Sequence, residues 1–380
     1  MNRGWLLATL LLVLPTPLLA QDAHSLGIGY AATAAPMEFF GIYWNPALLA
    51  LPSAGPAWTV ATGGSFFDTS NSNSPILRLT SDNAIQSGID PINRYQQYLG
   101  TFGAKYMSAA GGVIYDQELN SSSSQGALAF FHDRDNNTLS TTGTYNLGYL
   151  QTTQQIYNFI LSYSMPFPIG ALPFSAIGGS LKYHDGIQYQ QTSLMGTYQT
   201  GGGSYQYTKT TSTSGLGLSI DAGFLVKFTD AIQVGMMFQN IQSNFNWQGQ
   251  QQTFTLDPNT GKDVPGAISN VTIPANFPYA TKLGVVGAPP DKNIALEGEV
   301  SWTQGQTNWR AGLERYYPDS HLAVRLGTFN DRVSNSQLWT FGGGYQVPNF
   351  NLDLSFLTRS LPAVQDSISF GVAIDAEVRF

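Results

Sequence analysis

The last segment of the chain constrains its fold more than any other. Ile368, Phe370, Val372, Ile374, Ala376, Val378 and Phe380 recur at a strict period of two, and Ser369, Gly371, Asp375, Glu377 and Arg379 take the alternate positions. Period two is the pattern of a β-strand with one apolar and one polar face. A strand that is apolar on one side, charged on the other and ends on an aromatic suits a closed barrel with lipid outside and water inside.

The rest of the sequence agrees with that geometry. Charged residues are 11% of the 380, well below the roughly 25% of an average soluble domain. Hydrophobic residues are 42%, and Gly, Ser, Thr, Asn, Gln and Tyr fill much of the remainder. Neutral polar residues pointing into a lumen and apolar ones pointing into lipid produce this balance. A secreted β-sandwich or β-helix shares the Gly, Asn and Thr richness and is the soluble alternative.

Arg3, the apolar run Leu6 to Leu14, and the breakers Pro15 and Pro17 before Ala20 read as a signal peptide over residues 1–20. No later stretch approaches the 18 consecutive apolar residues of a spanning helix. Membrane passage therefore falls to strands. Cys is absent, which removes disulfides, thiolate metal sites and a Cys nucleophile. The net charge is −7 with no basic run, which argues against nucleic acid as a partner.

Clean alternation recurs in Leu216 to Phe224, Ile294 to Trp302 and Phe350 to Phe356, with Asp221, Glu297, Glu299 and Asp353 opposite the large apolar residues. Short connections carry turn residues at Thr229-Asp230, Ala288 to Asp291, Tyr317 to Asp319 and Val347 to Asn349. Two connections look long, roughly 185–213 and 243–277. Short turns on one side and longer loops on the other are the asymmetry of an outer-membrane barrel.

Strands are expected near 367–380, 350–358, 336–346, 320–329, 309–316, 293–303, 278–287, 231–242, 214–228, 175–184 and 156–165. Weaker patterns lie at 125–133, 109–118 and 57–68. That makes about fourteen, with twelve or sixteen as neighbouring even counts. Trp302, Trp309 and Trp339 fall at external strand ends; Tyr316, Tyr345 and Phe380 fall at periplasmic ends, as interface girdles do. The fold class is all-β: a transmembrane antiparallel barrel over residues 53–380.

Residues 21–52 do not alternate. Small residues (Gly27, Gly29, Ala31 to Ala35) precede the apolar run Phe39 to Leu51, interrupted at Asn45-Pro46. So apolar a segment ahead of the first strand needs burial, and the barrel lumen is the cavity at hand. A Gly/Ala-rich N-terminus followed by Tyr43, Trp44, Asn45, Pro46, Ala47, Leu48, Leu49 and Ala50 resembles the FadL superfamily of outer-membrane barrels. The Trp-Asn-Pro-Ala form is nearer to the PorV-type and TraF-like relatives than to the fatty-acid transporters. The terminal Phe380 likewise resembles the signal by which barrel assembly machinery recognises its clients.

The resemblance implies that residues 21–52 form a luminal hatch, with Trp44, Asn45, Pro46 and Ala47 as its motif. It also implies uptake of hydrophobic, fatty-acid-like small molecules through the barrel and sideways into outer-membrane lipid. A PorV-type role, in which external loops engage a secreted-protein partner, is the alternative. An open porin fits poorly with an apolar plug.

Between the first two expected strands, Ile85, Ile89, Ile92, Tyr95, Leu99 and Phe102 recur at spacings of three and four. This predicts an amphipathic helix in an external loop, either packed on the barrel rim or forming a groove for an apolar ligand.

Chemistry is sparse. His132-Asp133 and His184-Asp185 are expected near external strand ends, but no Gly-x-Ser-x-Gly nucleophile motif accompanies them. Asp257 to Asp263 alternates oxygen side chains around Gly261 without the bidentate Glu of a calcium loop, and it reads as an ordinary turn. No metal, cofactor or enzymatic step is expected. The lumen-facing charges carry both signs, which suits cross-strand pairs holding hatch and wall together rather than an ion-selective ring.

Overall fold

The computed structural model describes residues 22–51, 58–70, 92–136, 138, 140, 142–199, 204–256, 263–274, 277–289, 293–303, 305–331, 336–358 and 369–380. The signal peptide reading, Ile85 and Ile89, and residues 257–262 lie outside these. Fifteen antiparallel strands appear among the described residues. They are β1 (Trp58–Ser70), β2 (Ile92–Tyr106), β3 (Ala109–Ser123), β4 (Thr144–Pro166), β5 (Phe174–Gln199), β6 (Ser204–Lys227), β7 (Ile232–Leu256) and β8 (Asp263–Pro274). There follow β9 (Ala280–Gly287), β10 (Ile294–Thr303), β11 (Gln306–Tyr317), β12 (Leu322–Asp331), β13 (Ser336–Val347), β14 (Phe350–Thr358) and β15 (Ser369–Arg379).

Fourteen of them close into a ring. β1 pairs with both β2 and β15, β6 pairs with β7, and β9 follows β7 in the wall. β8 is the extra strand, paired only with the outer half of β7. Closure removes every edge that would otherwise leave backbone groups unpaired in lipid. Phe102, Leu161, Leu181, Leu218, Val324, Leu354 and Ile374 form part of an exposed apolar exterior. Asp221, Glu299, Arg325, Asp353 and Asp375 are buried on the inside. β15 faces as its alternation predicts: Ile374 is 46% exposed and its neighbour Asp375 3%.

The two ends of the barrel differ. The connections at the end where the chain terminates beside Trp58 (106–109, 166–174, 227–232, 287–294, 317–322 and 347–350) are all short, while the other end carries longer ones such as 124–143 together with the tight turn between Thr303 and Gln306. At the other end β4 to β7 run to 23–26 residues. At about 3.3 Å per residue, β5 is roughly 85 Å long, whereas about ten residues suffice to span a bilayer. These strands therefore project far beyond the membrane band.

Several expectations require correction. Within the region 185–213, residues 185–199 and 204–213 belong to β5 and β6, and within 243–277 the described residues belong largely to the outer half of β7 and to β8. Their Gly, Ser, Thr and Gln richness goes with a projecting hairpin in which burial falls on scattered residues such as Tyr189, Leu194, Tyr198 and Trp247 rather than on one continuous apolar face. Residues 125–133 are not a strand but part of the helix Gln125–Asp135. Ala127 and Phe130, three apart on one helical face, cover Tyr145, Tyr149, Leu194 and Tyr198 of the projecting sheet.

The helix expected over 84–102 is, from Ile92 onward, strand β2. Tyr95 and Leu99 are four apart, a spacing that keeps two residues on one side of a helix or of a strand, so the pattern could not discriminate. Leu99 points inward and is buried, while Phe102 is exposed on the outer face. Leu99 and Phe102 therefore do not share one surface. A count of fourteen thus arose from one strand too many at 125–133 and one too few at β2, with β8 unforeseen.

Candidate functional site

The interior begins with residues 22–51. They form a one-turn helix Ala23–Gly27, a helical turn Gly41–Trp44 and a 3-10 helix Pro46–Ala50. Short irregular pieces of this kind leave many backbone groups to be satisfied from outside. The barrel wall does so. Asp375 accepts the Ala23 N–H, and Ser355 Oγ donates to the Ala23 carbonyl at 2.6 Å. Thr340 Oγ1 donates to the Gly27 carbonyl at 3.2 Å. Glu299 accepts from the Thr33 N–H and hydroxyl at 3.1 and 2.6 Å, and Glu377 accepts the Phe39 N–H at 3.2 Å. Gln233 Nε2 donates to the Ala34 carbonyl at 2.6 Å.

The motif residues sit at the centre of this arrangement. The Asn45 side chain accepts the Ala47 N–H at 3.1 Å, capping the 3-10 helix, and Nδ2 donates to the carbonyls of Thr33 (2.9 Å) and Phe224 (3.0 Å). Pro46 opens the turn with its missing N–H at a position that needs no partner. Trp44 Nε1 donates to Asp22 Oδ2 at 2.7 Å; Tyr30 stacks on the indole at 5.8 Å, and the Lys282 ammonium lies 5.1 Å from the ring centroid. Burial pushes the Asp22 carboxyl above its ordinary range, opposed by the charge of His24 and by the hydrogen bonds from Trp44 and Ser25. Ala47, Leu48 and Ala50 pack with Ala176, Leu225 and Val286 of the wall.

Glycines of the wall make the seat, and sequence inspection missed them. A Cβ at Gly223 would lie 2.0 Å from Asn45 Oδ1, and one at Gly178 would lie 2.5 Å from the Pro46 carbonyl carbon. The readable signal was that Gly178 and Gly223 occupy inward positions of alternating strands, where a side chain would otherwise stand. Asn45→Ala removes three hydrogen bonds, the two to carbonyls and the cap on the Ala47 N–H. At about 1 kcal/mol per bond, the seat should weaken by roughly 3 kcal/mol. Limited proteolysis should then cut residues 22–51 faster while the heat-dependent gel shift of the barrel persists.

Further along the same strands the lining changes in layers. Above Gly178 on β5 come Ser180, Lys182, His184, Gly186 and, past a bulge at Ile187, Tyr189. Lys182 pairs with Asp221. His184 Nδ1 meets Asn158 Oδ1 at 2.5 Å and Nε2 meets Ser219 Oγ at 2.8 Å. This Asn-His-Ser series resembles part of a hydrolytic triad, but Ser219 is 1% exposed and Phe277 lies on the imidazole at 4.2 Å. A substrate carbonyl has no approach to the hydroxyl, and the three act as a cross-strand polar ladder. His184 is thus well inside the barrel rather than at a strand end, because β5 continues fifteen residues beyond it.

The next layer is aromatic. Ile156, Tyr189, Phe245 and Trp247 form a buried cluster with Ile273 and Phe277 against it. Phe245 and Trp247 meet edge to face at 5.1 Å, and Tyr189 lies 5.4 Å from Trp247. Gly186 and Gly215 let the indole lie flat on the wall. Trp247 Nε1 is buried with no hydrogen-bond partner among the described residues.

The wall is interrupted at this level. β7 pairs with β9 only as far as Gln239 and with β8 only from Asn246, so residues 240–245 have no described ladder partner on that side. Two extra residues of β7 stand opposite Ile220 to Ala222. Asn240 takes φ +54°, donates its N–H to Asp221 Oδ1 at 2.8 Å and its Nδ2 to the Pro278 carbonyl at 3.2 Å. This is a local irregularity of the wall, fixed by side-chain hydrogen bonds.

No family model matches the chain, and no curated protein sequence matches it. Solved structures do match in fold. The toluene transporter TbuX of Ralstonia pickettii aligns with a TM-score of 0.62 at 12% identity, over 96% of this chain and 99% of that one. The P. putida toluene transporter TodX gives 0.60 at 12% identity over the same shares. A Pseudomonas aeruginosa FadL homologue gives 0.58 at 10% identity, again over 96% and 99%. At these identities the likeness is one of fold, and it bears out the barrel architecture that the residues Tyr43 to Ala50 suggested.

Proposed function

We propose that this chain is an outer-membrane channel for hydrophobic small molecules, with residues 22–51 acting as a hatch. The observation that carries this reading is the layering along β5, β6 and β7: an aromatic cluster above a polar layer and a wall-bonded segment, with a wall irregularity at the level of the cluster. Phe245 and Trp247 are fully buried in this state, so an apolar solute entering from the projecting end would pass only by displacing the rings of this cluster. The interval beside residues 240–245 offers a sideways route into lipid. The fold shared with toluene transporters and a FadL homologue supports the same class of cargo.

Aromatic pairs contribute about 0.5–1.5 kcal/mol beyond area burial. Trp247→Ala and Phe245→Ala should therefore each lower the initial rate of toluene uptake by about 3- to 10-fold in cells relying on this channel. The heat-dependent gel shift should persist. Uptake at the wild-type rate in both variants would remove the aromatic cluster from the route.

The rival role is a barrel that engages a secreted-protein partner. The projecting hairpins of β4 to β8, with the helix Gln125–Asp135 packed on their outer face, are the feature that favours it. Retention of a protein through these hairpins, with toluene uptake unaffected by Trp247→Ala, would support it instead.

A further inference from the structure

We infer that the tight-turn end of the barrel holds a separate binding site for a small organic ammonium ion, centred on Glu297. A cavity of about 380 Å³ lies there between the hatch and the lower ends of β10 and β13 to β15. That size is at the lower bound of small-molecule pockets, roughly 300–1,000 Å³.

Its acidic wall is accounted for except at one point. Arg325 bonds both Glu314 and Asp353, and Lys105 Nζ lies 2.9 Å from Glu38. Asp375 accepts the Ala23 N–H, and Arg379 lies 3.6 Å from Glu377. Asp22 accepts from Ser25 N–H at 2.6 Å and from Trp44 at 2.7 Å. Glu297 differs. It is 6% exposed, it lines the cavity, and its Oε2 has no hydrogen-bond partner among the described residues.

An unpaired buried carboxylate is costly, and a cation donating hydrogen bonds offsets that cost directly. The opposite wall selects the kind of cation. Met37 and Leu51 of the hatch and Val286, Ala288 and Ala295 of the wall present apolar surface to the same space. A hydrated metal ion gains nothing from them, whereas the hydrocarbon part of an alkyl- or arylammonium does. Among the described residues, moreover, no three acidic or histidine groups gather as a metal site requires. A bound ammonium would touch hatch and wall together, which sets this site apart from the aromatic cluster deeper in the lumen.

The test is calorimetric titration of the full mature protein in detergent with benzylammonium chloride, its neutral counterpart benzyl alcohol, and calcium chloride. Benzylammonium should bind at one saturable site, benzyl alcohol and calcium should not compete for it, and Glu297→Gln should weaken binding at least tenfold. Ala295→Phe, which fills the cavity and keeps the carboxylate, should also abolish binding and covers the case in which Glu297→Gln fails to assemble. Wild-type affinity in either assembled variant, equal binding of benzyl alcohol, or displacement by calcium would overturn the assignment.

Discussion

Removing residues 22–50 should turn a weakly conducting barrel into an open pore. The fourteen-strand ring closes through its own backbone ladder, so its assembly does not depend on the hatch. What the deletion removes is the apolar mass of Phe39, Phe40, Ile42, Leu48 and Leu49, all buried inside. It leaves Asp375, Glu377, Glu299 and Gln233 without the hatch groups they bond. Exposed to water in a widened lumen, these groups regain hydration at little cost. In planar bilayers the truncated protein should show discrete conductance steps about tenfold or more above the intact protein, a polar water-filled lumen being what makes a barrel conduct. If intact and truncated barrels conduct alike, the hatch does not close the lumen and an open porin becomes the better account.

Deleting Phe380, or replacing it with Asp, should reduce the assembled, heat-shifted barrel in outer membranes severalfold or more. Asp375→Asn should leave assembly near the wild-type level. Phe380 is half exposed on the outer face, and its N–H donates to the Trp58 carbonyl at 3.0 Å where β1 and β15 close the ring. At the membrane edge a charge costs only about 0–1 kcal/mol, so the expected loss comes from recognition during assembly rather than from weakened stability. Asp375 faces inward, and Asn at that position still offers an oxygen to the Ala23 N–H. Equal assembly of the Phe380 and Asp375 variants would remove the terminal aromatic from any recognition role.

Much of the fold was legible because one-sided burial writes itself into sequence at period two. β10, β14 and β15 alternate without interruption, and their inward acids and outward aliphatics could be assigned residue by residue. Trp44 to Ala47 stood out for a related reason: an apolar run that does not alternate has no place in the wall and must be buried elsewhere. The misreadings fall where that logic weakens. β2 carries Gly, Gln and Tyr with no outward aliphatic run, and the outer halves of β5 to β8 bury scattered residues on both faces, Tyr189 and Trp247 inward and Leu194 and Tyr198 under the helix, so no single apolar face sets a period. A short helix that covers such a sheet with only Ala127 and Phe130 is equally faint.

The sequence by itself determined that this chain closes its strands into a barrel and buries an irregular apolar segment ahead of them, since both follow from where each residue type can be solvated. Only the tertiary structure decided how the segment is seated. Gly178 and Gly223 matter because Asn45 and Pro46 press on them, a contact made across more than a hundred residues of chain. The same holds for Glu297, which reads like any other inward acid along β10 until its neighbours' partners are known. It holds also for the aromatic cluster, where Tyr189, Phe245 and Trp247 come from two strands and meet only once the wall has curved. Solvation preference is a property of each residue and can be read one position at a time; close approach and unmet pairing are properties of pairs, and closure of the ring creates them.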